Sequence, residues 1–119
     1  MFGDFAPKYC NPETAQIAIL PVPYDGTSTW IKGADKGPVA ILETSYNLEF
    51  YDIETDSEVF RQGIFTEPPV EGFKQPEQMA RIVHQRMEML LKKEKFPVVL
   101  GGEHSVSIGA IEAMADRYN

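Results

Sequence analysis

The 119-residue sequence contains one cysteine, Cys10, and only two histidines, His84 and His104. A single cysteine can form neither an internal disulfide nor a cysteine-based zinc site, which is typical of a protein from a reducing compartment. Apolar runs are short, and none approaches the roughly 20 residues that cross a bilayer. The first residues lack the basic start and long apolar core of a secretory signal. We therefore expect a cytoplasmic protein that is neither secreted nor embedded in a membrane.

Positive charge is also scarce. The sequence has 11 Lys and Arg residues and 18 Asp and Glu residues, which gives a formal net charge of -7 at pH 7. The basic residues are scattered along the chain and form no cluster. This balance argues against nonspecific binding to phosphate backbones. Nucleic acid is not an expected partner, whereas a small cationic ligand is compatible with the charge.

Short apolar runs alternate with segments of helical spacing. The predicted strands are 17–20, 64–65 and 96–100, and the predicted helices are 38–50, 76–95 and 105–118. Pro21 and Pro23 are expected to close the first strand, and the nearly continuous apolar run of the last strand predicts burial on both faces. The length suits one domain, and no repeat or linker divides the chain. A strand, a glycine turn and a helix at the end of the chain predict an α/β unit.

The stretch Gly101-Gly102-Glu103-His104-Ser105 follows the last predicted strand. Functional sites in open parallel sheets form outside the carboxyl ends of strands, and this turn lies there. The two glycines permit a sharp reversal, and the Ser105 hydroxyl is expected to cap the next helix by accepting a backbone N–H. His104 is then held on a rigid corner.

Several kinds of site fit this turn poorly. A phosphate cradle would leave the helix N-terminus to the anion, but Glu103 occupies that place, and neither the P-loop lysine nor the three-glycine dinucleotide spacing is present. The Gly-x-Ser-x-Gly arrangement of a nucleophile elbow is also missing. By itself, a lone histidine in a turn is more often a hydrogen-bonded residue than a metal ligand. His84 is expected to be a surface or hydrogen-bonded helix residue that does not complete a metal site with His104.

The run Gly101 to Ser105 resembles the Gly-Gly-Asp/Glu-His-Ser signature of the ureohydrolase family, which contains agmatinase, arginase and formimidoylglutamase. Upstream, "PVPYDGTSTWIKGADKGPVAILE" is similar to the family's first strand, glycine-containing loop and Gly-Pro helix start. The Pro-Tyr-Asp-Gly-Thr loop and "EPPVEGF" are most similar to agmatinases. Within the loop, Trp30, Ile31 and Lys32 replace the Arg-Pro that many relatives carry.

The resemblance implies a three-layer α/β/α sandwich around a mainly parallel sheet, the arginase-like fold. It identifies residues 1–119 as the amino-terminal part of a single ureohydrolase domain, with residues 1–15 as an irregular amino-terminal arm. Members of this family commonly form trimers or hexamers. We therefore expect the complete protein to be a homo-oligomer.

The resemblance also assigns His104 as a ligand to one of two manganese ions. The family's other ligands belong to an Asp-Ala-His-x-Asp motif and a Ser-x-Asp-x-Asp motif, and neither occurs before Asn119. The implied activity of the complete protein is hydrolysis of a guanidino compound, with agmatine giving putrescine and urea. The 119-residue chain alone is expected to release no measurable urea and to bind Mn(II) weakly. A non-catalytic or assembly module of the same architecture, without a complete metal site, is the alternative.

The roles of two acidic residues, Glu103 and Asp25, each have two interpretations. Glu103 either orients the turn or the metal ligands, or only favours the N-terminus of the following helix electrostatically. Asp25 either belongs to a loop that contacts the substrate or shapes the turn before Gly26, and an Asp before Gly favours the turn.

Overall fold

A parallel three-stranded sheet of order β2-β1-β3 forms the centre of the computed structural model, which describes residues 1–119. The strands are β1 (Ile17–Val22), β2 (Ile64–Thr66) and β3 (Phe96–Gly101). The helices are α1 (Gly37–Thr44), α2 (Pro76–Lys92) and α3 (Ser107–Tyr118). Single 3-10 turns cover Pro7–Tyr9, Ala34–Lys36, Ser45–Asn47, Val59–Gln62 and His104–Val106. The predicted α/β class with a parallel sheet is confirmed.

Side chains of the central strand β1 alternate between the two faces of the sheet. On one face, Leu20 and Val22 are fully buried against α2, α3 and the segment around Val70. On the other face, Ile19 packs in a separate cluster with the amino-terminal segment and with Leu42 of α1. Helices therefore cover both faces, which gives the predicted three layers.

The first strand is longer than predicted, because β1 continues through Pro21 to Val22. In a parallel strand the N–H and C=O of one residue point to the same side. The carbonyl of Pro21 accepts the N–H of Val70 at 2.9 Å, beyond the end of β2. The N–H that proline lacks would point to the same side, where no strand pairs with it. Proline therefore leaves the ladder with β3 intact.

All three helices are shorter than predicted, and α3 begins at Ser107 because the 3-10 turn His104–Val106 precedes it. Helix α1 ends at Thr44, where the Ser45 hydroxyl donates to the Leu42 carbonyl at 2.6 Å and accepts the N–H of Gly3 at 2.8 Å. A side chain that binds the backbone in this way competes with continued helix. Helix α2 ends at Lys92, and Glu94 adopts φ 56°, a left-handed conformation that closes a helix.

Residues 1–15 contain one 3-10 turn and otherwise neither helix nor strand. Four of them are buried, namely Gly3, Phe5, Cys10 and Ala15. Phe5 stacks on Phe60 with ring centroids 5.0 Å apart and shares a buried cluster with Ile19 and Ile64 of the sheet, so the segment is fixed against the sheet. Its assignment as the arm of a larger domain stays a prediction.

Strand β3 lies at one edge of the sheet, and none of its residues is fully buried. Phe96 is 68% exposed, so the predicted burial on both faces is wrong for this chain. The reason is topological, because β3 pairs with β1 on one side and with no strand on the other. No helix is both long and apolar enough to cross a membrane.

Candidate metal and substrate site

His104 lies directly beyond the carboxyl end of β3, on the turn that leads into α3. Its imidazole is exposed to solvent at the start of the 3-10 turn His104–Val106. The turn contacts the end of β1, because the N–H of Gly102 donates to the Val22 carbonyl at 3.2 Å and that of Glu103 to the Tyr24 carbonyl at 3.1 Å. The carboxyl ends of the two neighbouring strands therefore fix the position of the histidine.

Gly102 permits this close approach. A Cβ atom at this position would lie 2.1 Å from the Tyr24 carbonyl oxygen and 3.0 Å from that of Ala34. No side chain fits between these backbone segments. The second glycine of the Gly-Gly pair is therefore required by packing as well as by the turn.

Glu103 joins the His104 turn to the loop that follows β1. Its carboxylate accepts the N–H of Thr27 at 3.1 Å, the Thr27 hydroxyl, and the Ser105 hydroxyl at 2.5 Å. Burial opposes ionisation, but the bonds from Ser105 and Thr27 outweigh it, so the pKa of the Glu103 carboxyl lies below its ordinary value. These bonds join the His104 turn to the loop; the role of Glu103 toward metal ligands stays a prediction.

The expected capping role of Ser105 is wrong. Its hydroxyl donates to the Glu103 carboxylate, and no side chain caps either the 3-10 turn or α3. The bond to the charged carboxylate is stronger than a bond between neutral groups, so it determines the orientation of the hydroxyl. The helix begins through the 3-10 turn instead.

Asp25 organises the loop between β1 and α1. Its carboxylate accepts the N–H of Gly33 at 2.5 Å and that of Ala34 at 3.1 Å, and it pairs with the Lys32 ammonium at 3.2 Å. The bond from Gly33 is the main cause that lowers the pKa of Asp25, with smaller contributions from Lys32 and Ser28. These contacts fit the turn-forming interpretation. A contact between Asp25 and substrate stays a prediction.

The loop and the turn together enclose an open cleft of about 590 Å³. One wall is the loop 27–31, and the other is the segment 101–107 that carries His104. The sequence motifs placed both segments near the carboxyl edge of the sheet, but they did not indicate the contact between Thr27 and Glu103. These two residues are 76 positions apart, and no local pattern links them.

The second histidine lies outside the cleft. His84 Nε2 is 2.8 Å from an Asp116 carboxylate oxygen, on the outer helices α2 and α3. The expectation of a hydrogen-bonded helix residue is confirmed. The structure brings no group of three or more His, Cys, Asp or Glu side chains into an arrangement that could hold a metal ion.

Comparison with known proteins gives the family of this chain. The model of the arginase family matches residues 15–119. The chain belongs to the arginase family. It is 35% identical over 107 residues to the N(1)-aminopropylagmatine ureohydrolase of Thermococcus kodakarensis, with 87% of this chain and 37% of that protein covered. The family assigned from the sequence motifs is thereby confirmed.

Solved structures agree with the arginase-family fold. The agmatine ureohydrolase of Thermoplasma volcanium superimposes with a TM-score of 0.80 and 28% identity over 85% of this chain and 34% of its own. The formiminoglutamase of Trypanosoma cruzi, solved with Mn²⁺, has a TM-score of 0.81 and 22% identity over 91% of this chain and 38% of its own, and supports the fold alone. The chain thus spans 34–38% of these two structures.

The side chains that line the cleft determine which metal ion this part of an arginase-family protein can bind. The exposed His104 imidazole is the only free nitrogen ligand there, and Mn(II) accepts imidazole together with carboxylates. The Glu103 carboxylate is occupied by Thr27 and Ser105. His104 therefore fits as one metal ligand, and residues 1–119 bring no complete ligand set together.

Proposed function

We propose that the complete protein containing this chain hydrolyses a guanidino compound to an amine and urea, as an agmatinase does, at a centre of two manganese ions. The observation that supports this proposal is the position of His104 in an arginase-family chain. The imidazole is exposed in a cleft beyond the carboxyl end of a parallel strand, on the Gly-Gly-Glu-His-Ser turn. In open α/β sheets this is where ligands bind.

The reaction requires an activated nucleophile, because the carbon of a guanidinium is a poor electrophile and water is a weak nucleophile at neutral pH. When bound, the manganese pair would lower the pKa of water and so supply hydroxide at neutral pH. His104 would hold one of the ions. Glu103 and Gly102 keep the turn against β1 and so fix the position of the imidazole.

Agmatine and N1-aminopropylagmatine are the substrates we propose to test first. They are the compounds named for the Thermococcus relative and the Thermoplasma structure. The net charge of -7 is compatible with such cationic molecules. We further propose that the complete protein is cytoplasmic and self-associates as a trimer or hexamer, which light scattering can test.

The experiment is urea release by the complete protein with Mn(II) and four substrates: agmatine, N1-aminopropylagmatine, arginine and 4-guanidinobutyrate. We expect urea from at least one of the first two and none from residues 1–119 alone, which offer a single ligand. No urea from any substrate would contradict the proposal. It would favour the alternative of an assembly module that keeps the architecture without a working metal site.

A further inference from the structure

The loop after β1 presents its two largest apolar side chains to solvent. Trp30 is 90% exposed and Ile31 is 73% exposed, although the chain has only one tryptophan and a buried core on both faces of the sheet. Adjacent exposed apolar residues at the rim of a cleft mark a binding surface more often than isolated ones do. Both residues line the cleft that contains His104.

The exposure of Trp30 is imposed by the loop itself. On one side of the tip, Thr27 is bonded to the Glu103 carboxylate. On the other side, the Lys32 ammonium donates to the carbonyl of Asp25 at 2.6 Å and to that of Ser28 at 3.2 Å. The loop is thus held by Glu103 at one end and by its own carbonyls at the other, and the segment between them projects outward.

The charges in the cleft favour a cationic ligand over an anionic one. Glu103 is the only acidic residue of the lining, and its carboxylate already accepts three hydrogen bonds. No lysine or arginine lines the cleft, and the neighbouring Lys32 is bound to the loop. Within residues 1–119, a carboxylate on the substrate would meet no basic side chain in the cleft, whereas an ammonium would meet the face of an indole, which attracts cations.

We infer that Trp30 determines specificity in the proposed reaction, by binding the cationic tail of the guanidino substrate on its indole face while the guanidinium group lies toward His104. This inference rests on the proposed function and adds the residue that distinguishes its substrates by the charge at the far end of the alkyl chain. Ile31 contributes apolar contact to the alkyl chain and does not distinguish the tails.

Three substrates with tails of similar length separate these contributions: agmatine with an ammonium, butylguanidine with a methyl, and 4-guanidinobutyrate with a carboxylate. In the complete protein, Trp30→Leu keeps an apolar side chain and removes the indole. We expect the KM for agmatine to rise about threefold to thirtyfold, the range of a cation–π contact, with kcat within about twofold. The KM for butylguanidine should rise less than threefold, and Trp30→Phe should recover part of the agmatine affinity.

Ile53→Ala is the matched control, since Ile53 is 84% exposed and lies outside the cleft. It should leave all three KM values unchanged. If Trp30→Leu raises the KM of all three substrates equally, or lowers kcat and the thermal midpoint, the inference is overturned and Trp30 has a packing role. A separate readout is agmatine binding by calorimetry. If wild type releases no urea but binds agmatine, and Trp30→Leu weakens that binding selectively, the proposed function fails and the inference stands. No agmatine binding by wild type overturns the inference, whereas the proposed function fails only if none of the substrates releases urea.

Discussion

Replacing Gly102 by alanine in the complete protein tests whether the packing of the His104 turn sets the geometry of the site. The new Cβ would lie 2.1 Å from the Tyr24 carbonyl oxygen, so the turn or the end of β1 has to move by about 1 Å. The moving carbonyl also accepts the N–H of Glu103 at 3.1 Å. A shift therefore displaces the residue next to His104.

Two magnitudes follow from this displacement. Overpacking a rigid backbone contact costs about 1–3 kcal/mol of stability. A misplacement of about 1 Å in a catalytic group can lower kcat about 100-fold. We therefore expect Gly102→Ala to fold with a thermal midpoint lowered by a few degrees, and to lose far more urea-forming activity than stability.

Gly37→Ala is the matched control. Its new Cβ would lie 3.5 Å from the Gly101 carbonyl oxygen, an ordinary contact, and Gly37 already has helical φ and ψ of -53° and -51°. We expect activity within about twofold of wild type and a loss of stability smaller than that of Gly102→Ala, because the only strain is that of a helical alanine before Pro38. Unchanged kcat and thermal midpoint in Gly102→Ala, measured beside this control, would refute the reasoning about the turn.

Three further predictions concern the structure around the site. Gly109→Ala should destabilise the complete protein by about 1–3 kcal/mol, measured by urea denaturation, because its Cβ would lie 2.0 Å from a backbone carbonyl of α2; an unchanged midpoint would contradict the close helix contact. Arg86→Met should lower the free energy of unfolding by about 1–2 kcal/mol, since the Arg86 guanidinium and the Glu67 carboxylate are 2.6 Å apart and both largely buried. A double-mutant cycle with Glu67→Gln that shows no coupling energy would contradict a stabilising ion pair. Folding lowers the pKa of Asp25. The ionised carboxylate therefore stabilises the loop fully at neutral pH, and this stabilisation is lost as the pH falls from about 3.9, the unfolded-state pKa, through the lower folded-state pKa. Amide exchange at Gly33 should therefore lose protection in acid in wild type, whereas Asp25→Asn should show little protection at any pH and no such transition.

Local patterns in the sequence predicted the elements that position the site. The apolar spacing of α2 and the run of β3 indicated a helix and a strand with nearly correct bounds. The strand end at Pro21 was wrong because the effect of proline depends on which side of a strand is paired. That side is decided by β2, which begins more than 40 residues later.

Side-chain partners in the site were not predictable in the same way. Asp25 and Gly33 are close in sequence, so a turn was foreseeable there. The bond between Thr27 and Glu103 depends on how two strands align, and no motif encodes that pairing. The same limit applies to the exposure of Trp30, because only the closed loop shows that the indole projects outward.

Manganese content of the complete protein tests the central claim most directly. Wild type, His104→Ala and His84→Ala can be purified with Mn(II), and the metal bound per subunit measured by elemental analysis. The account predicts two ions in wild type and in His84→Ala, since His84 pairs with Asp116 outside the cleft, and fewer than two in His104→Ala. Equal manganese in wild type and His104→Ala would contradict the assignment of His104 as a metal ligand.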